Sequence, residues 1–434
     1  MTDSFRVIVA AGTYDGVLAG WELTTRKNKF EIVFASPSHI GSIRSVAHQD
    51  TQHTVVSCGY DEVIKTHNFA KRQTDTGEVR TPSAYGTPCC SSFAQNHCLV
   101  GFSEGHIVIY KKRDWSVQHV LKGHEGGVSS IAVHPTGKMA LTGGSRDGKL
   151  KLWDLTRGRL AFSTKIASKE SIDTVVWASD GSSYGFGYGS HVTVRDVASG
   201  SDLLDIELPS RVNQVCFIEG DDGMFLVAAC NDGSLPVLDV PKSVDPNEQE
   251  RFAVMAIEAV EGPVAGEERF KCIQAVQDYH VVTATSAGVI SLMNLQGSVN
   301  MIKQDKLANK NASVNHREED SEEESDDGRV SSDSDDEELA VEIVDSTQLG
   351  TGARITCLVA YSYSENGDDG VAGDVKETKK RKHEDGLNQP KTDKHLKRSE
   401  IIGVGDLEKA RKLVSKAKKI QKRNEEKKRK PKKT

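Results

Sequence analysis

The chain has 434 residues, 56 of them basic and 63 acidic, for a formal charge of −7, and only 37% are hydrophobic. No run approaches the roughly 18–20 apolar residues of a membrane-spanning helix, and Met1 to Ala11 lacks the basic start and apolar stretch of a secretory signal. The length accommodates one large domain or two to three ordinary ones, and the low apolar content predicts that part of the chain lies outside any core.

Phe5 opens directly on the β-branched run Arg6 to Thr13, which ends in the turn pair Asp15-Gly16. The same unit recurs down the chain. Its fullest copy runs Gly123-His124, Val128 to Val133, Lys138 to Gly144, Asp147-Gly148 and Leu150 to Trp153-Asp154. Aligned on Trp153, the ends of the third strands fall at Trp21, His67, Tyr110, Trp153, Arg195, Leu238 and Met293, spaced by 46, 43, 43, 42, 43 and 55 residues. Each is preceded by a turn signal: Asp15-Gly16, Asp61-Glu62, Glu104-Gly105, Asp147-Gly148, Gly189-Ser190, Asp232-Gly233 and Ala287-Gly288. Tight hairpins need positive φ, which Gly and Asp supply cheaply. Short runs such as Val192 to Val194, bounded by Gly, Asp and Ser, read as strands. A GH…WD frame at a period of 40–45 residues marks a WD-repeat β-propeller. The expected fold is all-β, with seven four-stranded blades.

The unit at Phe5 lacks an innermost strand. Arg354 to Ala360 resembles the innermost strands Ile43 to Ala47 and Val212 to Phe217, and is expected to complete blade one. Closing the ring removes sheet edges that invite aggregation. Leu339 to Val344 is expected as the outer strand of blade seven. The propeller is assigned to residues 1–362, with 305–338 as an acidic disordered insertion in blade seven. Residues 363–434 form a basic, disordered or partly helical tail.

His124, Asp147 and Trp153 in blade four, and His39, Ser57 and Asp61 in blade two, read as a hydrogen-bonded network that stabilises hairpins, since buried polar groups need partners. In blade four the second-strand hydroxyl position is read as Gly143, which leaves that network incomplete. In blade two His67 stands where the Trp belongs. Gly143 to Lys149 nearly matches a phosphate-binding loop, but it joins two strands and continues into Leu150, so it is not read as one. Gly185, Gly187 and Gly189 alternate within a strand and are no dinucleotide motif. Eight cysteines, Cys58, Cys89, Cys90, Cys98, Cys216, Cys230, Cys272 and Cys357, include no CxxC pair; they read as core residues of a reduced compartment. No catalytic, cofactor or metal residues are assigned, and a binding scaffold is the expected class.

Charge is strongly segregated. Glu318 to Glu338 carries a net −12, Lys376 to the C-terminus +14, and the remainder −9. Neither segment holds enough apolar surface to offset about 1–2 kcal/mol of ordering entropy per residue. Ser321, Ser332 and Ser334 each precede an acid by three residues and are candidate phosphorylation sites. Lys379, Lys380, Arg381 and Lys382 form a candidate nuclear import signal. From Asp406 the tail lacks Gly and Pro to about Lys430. Leu407, Ala410, Leu413, Val414, Ala417 and Ile420 make one narrow apolar stripe. Lys409, Arg411, Lys412, Lys416, Lys418, Lys419, Lys422 and Arg423 cover the rest and are candidate contacts to RNA or a ribonucleoprotein partner. With no aromatic residue after Tyr363, base stacking and sequence specificity are not expected. Membrane-surface binding is disfavoured because the stripe lacks Trp and Phe.

These features together resemble one family. Its residues here are the opening Val9-Ala10-Ala11-Gly12-Thr13-Tyr14-Asp15-Gly16, the unit from Gly123-His124-Glu125-Gly126-Gly127-Val128 to Trp153-Asp154-Leu155, the closing Arg354-Ile355-Thr356-Cys357-Leu358, and the basic tail. The whole chain resembles the PAK-interacting protein family, nucleolar WD-repeat factors of large ribosomal subunit assembly. The resemblance implies a place in the nucleus and nucleolus and a role in pre-rRNA maturation. The propeller would bind ribosome-assembly proteins and the tail pre-rRNA, as a monomer within a larger complex. For animal members it also implies negative regulation of a PAK protein kinase through its regulatory domain, which remains the alternative. It transfers no catalytic residue. Five of the seven units lack the terminal Trp.

Overall fold

The computed structural model of the chain describes residues 5–24, 28–49, 54–69, 71–166, 170–220, 223–241, 269–304, 306, 341–350 and 352–364. Blade one contains β1 (Phe5–Thr13), β2 (Val17–Thr24) and β3 (Lys29–Pro37). Blade two contains β4 (Ile43–Gln49), β5 (Thr54–Gly59), β6 (Val63–Asn68) and β7 (Gln73–Arg80), and blade three β8 (Pro88–Ala94), β9 (His97–Phe102), β10 (His106–Lys111) and β11 (Val117–Lys122). Blade four is β12 (Val128–Val133), β13 (Met139–Gly144), β14 (Lys149–Asp154) and β15 (Arg159–Lys165). Blade five is β16 (Ile172–Trp177), β17 (Ser183–Tyr188), β18 (His191–Asp196) and β19 (Asp202–Glu207). Blade six has three strands among the described residues, β20 (Val212–Gly220), β21 (Gly223–Cys230) and β22 (Val237–Val240). Blade seven has β23 (Phe270–Gln277), β24 (His280–Thr285), β25 (Val289–Asn294) and β26 (Glu342–Gln348). Each sheet is an antiparallel meander ordered from the ring axis outwards.

The ring closes as expected. β27 (Ile355–Ser364) pairs antiparallel with β1, from Gly12 opposite Cys357 to Phe5 opposite Ser364, and becomes the innermost strand of blade one. It is longer than the expected strand because its alternation continues through Tyr361 and Tyr363, which pack against the core between blades one and two. The innermost strands follow each other in a closed circle, β27, β4, β8, β12, β16, β20, β23 and back to β27. The outer rim is fastened as well, by the Phe30 N–H on the Asp345 carboxylate at 2.6 Å.

Blade seven corrects one expectation. Its outer strand is Glu342–Gln348 rather than 339–344, and residues 296–304 are helical. The later start places Ile343 opposite Met293 and seats it against the core between blades six and seven.

The core is divided. Seven separate apolar clusters each fill one gap between neighbouring blades, as where Val56, Cys58 and Ile64 of blade two meet Cys98, Val100 and Phe102 of blade three. Strand alternation sends side chains to both faces of every sheet, so each blade feeds two clusters. Each buried Val, Leu, Ile or Phe contributes about 1.5–3 kcal/mol.

Two regularities orient the ring. All seven hairpins between second and third strands hold a residue at positive φ: Gly16, Glu62, Gly105, Gly148, Gly189, Gly233 and Gly288. Glu62 alone among them carries a side chain there, at φ 61°. Every innermost strand also has a β-bulge near its start, at Arg44, Cys89, Ser129, Asp173, Asn213, Lys271 and Thr356. Bulges re-aim a side chain and increase local twist. These hairpins, the bulges and the links between blades lie on one face, here the turn face: the Tyr14 N–H bonds the Arg354 carbonyl and the His39 N–H the Gly16 carbonyl. The opposite face carries Phe5 and Ser364, and also Asn294 opposite Glu342. Both ends of the acidic insertion and the start of the tail therefore leave from that opposite face.

Candidate functional site

In blade two the link places His39 over the sheet. Its Nδ1–H donates to Asp61 Oδ1 (2.9 Å), and its Nε2 accepts from Ser57 Oγ (2.7 Å). Ser57 Oγ in turn accepts from His67 Nε2–H (2.8 Å). Asp61 Oδ2 also takes the Ile40 N–H (2.9 Å). The sequence reading brought His39, Ser57 and Asp61 together and missed His67. Like a tryptophan, this histidine offers an aromatic N–H.

Blade four repeats the chain of bonds and corrects the sequence reading. The hydroxyl is Thr142, not Gly143, and the network is complete. His124 Nδ1–H donates to Asp147 Oδ2 (3.0 Å), Thr142 Oγ1 bonds His124 Nε2 (2.8 Å), and Trp153 Nε1–H donates to Thr142 (2.9 Å). The physical reason is a hairpin one residue longer than that of blade two, so counting back from Asp147 stops one residue short of the hydroxyl. Counting forward from the histidine finds it at the same separation in both blades. Blade one shows what the network supplies. There Ala11 replaces the hydroxyl, and the buried Trp21 indole N–H has no partner among the described residues.

Ser57, His39 and Asp61 have the connectivity of a nucleophile, base and orienting acid. The surroundings oppose that role, since Ser57 is 0% exposed and the His67 N–H occupies its oxygen. Burial pushes His67 down to about 3, so it is neutral, and its Nε2–H is the donor to Ser57. Burial also lowers His124, against the opposing effect of Asp147. For Asp61, burial raises the carboxyl, but the hydrogen bond and charge of His39 with the Ile40 N–H outweigh it and hold it below its ordinary value. Asp147 behaves likewise, with His124 and the Glu125 N–H outweighing burial.

A cavity of about 290 Å³ opens beside His67 between blades two and three, lined also by Lys71, Phe93, Lys112 and Trp115. Gly143 to Lys149 joins β13 to β14, as its reading against a phosphate loop required. The eight cysteines are all free, and six are buried. Burial raises Cys58, Cys216 and Cys357 to about 12, so these thiols are protonated and inert. Among the described residues no helix is long and apolar enough to cross a membrane, and no cluster of three His, Cys, Asp or Glu is arranged to hold a metal. Ser321, Ser332, Ser334, the Lys379–Lys382 cluster and the cationic positions from Lys409 to Arg423 lie outside the described residues.

Residues 115–154 match the model of the WD domain, G-beta repeat. They span the third strand-hairpin unit's end and the complete network of blade four. The chain is 26% identical over 304 residues to the p21-activated protein kinase-interacting protein 1-like of Danio rerio, covering 68% of this chain and 76% of the relative. It is 27% identical over 286 residues to Shk1 kinase-binding protein 15 of Schizosaccharomyces pombe, covering 65% and 75%. The chain is a homologue of these two proteins. A shorter stretch of 60 residues is 43% identical to the ribosome biogenesis protein erb1 of Neurospora crassa, covering 14% of this chain and 8% of that one. The two longer matches are to proteins named for interacting with or binding a kinase, and the short match is to one named for ribosome biogenesis.

Proposed function

We propose that the chain is a non-catalytic scaffold of large ribosomal subunit assembly in the nucleolus. The ring docks assembly proteins and the basic tail contacts pre-rRNA or a ribonucleoprotein. The observation that carries this reading is the attachment of the tail. A +14 segment begins at Lys376, with eleven residues between it and β27, the strand that locks the ring, so a tail bound to RNA is tethered to the closed propeller. The polar networks support a scaffold role because each is consumed within its own hairpin. The relatives named for ribosome biogenesis support the setting. Affinity purification followed by sedimentation tests it: the chain is expected to travel with precursors of the large subunit. Deleting residues 376–434 is expected to release it from the nucleolus and impair large-subunit production. Normal localisation and pre-rRNA processing after that deletion refute the tail's part.

A second reading is favoured by the names of the two homologues matched over about two thirds of the chain. Here the propeller alone binds and restrains a p21-activated kinase through its regulatory domain. A chain ending at Ser364 keeps the closing strand, and it is then expected to inhibit the kinase as well as the full chain does.

A further inference from the structure

Cations are distributed unevenly around the channel mouth on the turn face. Blades six, seven and one each place an exposed arginine immediately before the innermost strand: Arg211, Arg269 and Arg354. The bulges add Lys271 in blade seven and Arg44 in blade two. The corresponding positions of blades three to five are Thr87, Gly127 and Ser171, with Cys89, Ser129 and Asp173 at the bulges. The positive charge is therefore an arc over one side of the mouth. Arg211 pairs with Asp173 at 2.8 Å, and among the described residues no ion pair engages Arg44, Arg269, Lys271 or Arg354.

Beside one end of this arc lie three exposed apolar side chains, Tyr14 at 55%, Ile40 at 75% and Tyr60 at 61%. The segments that carry them adjoin: Gly16 packs against the His39 and Gly41 carbonyls, and a Cβ on Gly41 would meet Tyr60 Cβ at 3.7 Å. The Tyr14 N–H bonds the Arg354 carbonyl (2.9 Å), and the Tyr60 N–H bonds the carbonyl of Ser42, two residues before Arg44 (2.8 Å). The Ile40 N–H is fixed by Asp61, the residue after Tyr60. The polar network of blade two thus ties the link that carries Ile40 to the hairpin that carries Tyr60. Tyrosines that stand out at low entropy cost and planar arginines are the side chains enriched at binding hot spots.

We propose that the turn face of blades one and two is a docking site for an extended acidic peptide segment of a protein partner. Its apolar side chain seats among Tyr14, Ile40 and Tyr60, and its carboxylates lie over Arg44 and Arg354. Charge complementarity selects an acidic occupant. The positive arc is short and bounded by Asp15, Glu62 and Glu104 in the surrounding hairpins, which suits a short acidic segment better than a long polyanion such as RNA. The chain's own acidic insertion is anchored on the opposite face. The inference goes beyond the scaffold reading by assigning the face and the chemistry of the partner, and its test does not depend on ribosomal particles.

The test is selection of a random displayed peptide library on the full chain, followed by measurement of affinities for the enriched peptides. Enriched sequences are expected to be acidic with a Phe, Leu or Trp anchor. The double variant Arg44→Glu, Arg354→Glu and the double variant Tyr14→Ser, Tyr60→Ser are each expected to weaken them about tenfold or more. Both pairs stand at the surface, and unchanged circular dichroism and melting verify folding. Deletion of residues 376–434 is expected to leave peptide affinity unchanged. Neutral or basic enriched sequences overturn the proposal, as does equal binding by the charge-reversed chain. Displacement of the peptides by oligouridylate, with the oligonucleotide itself lost on charge reversal, overturns it in favour of RNA. A several-fold gain in peptide affinity on deleting residues 318–338 identifies the chain's own acidic segment as the occupant and overturns a partner in trans.

Discussion

Replacing His67 by tryptophan should remove a defined part of the protein's acid sensitivity. An unfolded histidine takes up a proton near its ordinary value of 6.5, whereas His67 in the folded ring does so only near 3. Between these values the unfolded chain binds one more proton than the folded chain. Stability therefore falls as pH falls, by about 1.4 kcal/mol per pH unit well below the upper value. From pH 7 to pH 5 this group alone contributes a loss of about 2 kcal/mol. In the His67→Trp variant the indole N–H can donate to Ser57 as Trp153 donates to Thr142, and the cavity beside His67 offers room for the larger ring. Urea unfolding followed by circular dichroism at the two pH values measures the effect. The drop between pH 7 and 5 should be about 2 kcal/mol smaller in the variant, while other buried histidines contribute equally to both chains. The reciprocal Trp153→His variant should gain a comparable acid sensitivity whatever its stability at pH 7. An identical pH dependence in all three chains would refute the reasoning.

Three further outcomes follow from the described contacts. Thr142→Val keeps the volume and removes the hydroxyl, leaving His124 Nε2 and the Trp153 N–H unsatisfied; unfolding experiments should show a loss of about 1–3 kcal/mol. A chain ending at residue 353 lacks β27 and bares the edge of β1, so light scattering should find it self-associated, while a chain ending at Ser364 stays monomeric. If the shorter chain is monomeric with unchanged melting, β27 does not close the ring as described. The six buried thiols should resist a thiol-specific chromogenic reagent in the native protein and react at once in denaturant; rapid native reaction of all eight contradicts the packing between blades.

The count and order of blades were legible because hairpin chemistry repeats. Each needs one residue at positive φ, and six of seven use glycine, so spacing survives where side chains diverge. The closing strand was legible because innermost strands share an apolar–polar–small start, as in Ile43-Arg44-Ser45 and Ile355-Thr356-Cys357. In both strands the second residue of that pattern is the bulged one. What misled was local geometry. A hairpin longer by one residue moved the apparent hydroxyl of blade four from Thr142 to Gly143. The outer strand of blade seven was placed too early because Leu339 to Val344 alternates as well as the true strand does. Outer strands pair on one edge only, so their bounds rest on neighbours that the sequence does not name. His67 was missed as a network member because a single residue type was expected where any ring N–H of suitable reach suffices.

The pairing of β27 with β1 also has a consequence in time. β1 is complete after residue 13, and its partner begins about 340 residues later. At about 5–20 residues per second of synthesis, that edge waits roughly 20–70 s for its strand. During this interval six blades can assemble while the first presents an open row of N–H and C=O groups. The nascent chain thus carries a vacancy for one strand until Ile355–Ser364 has been made.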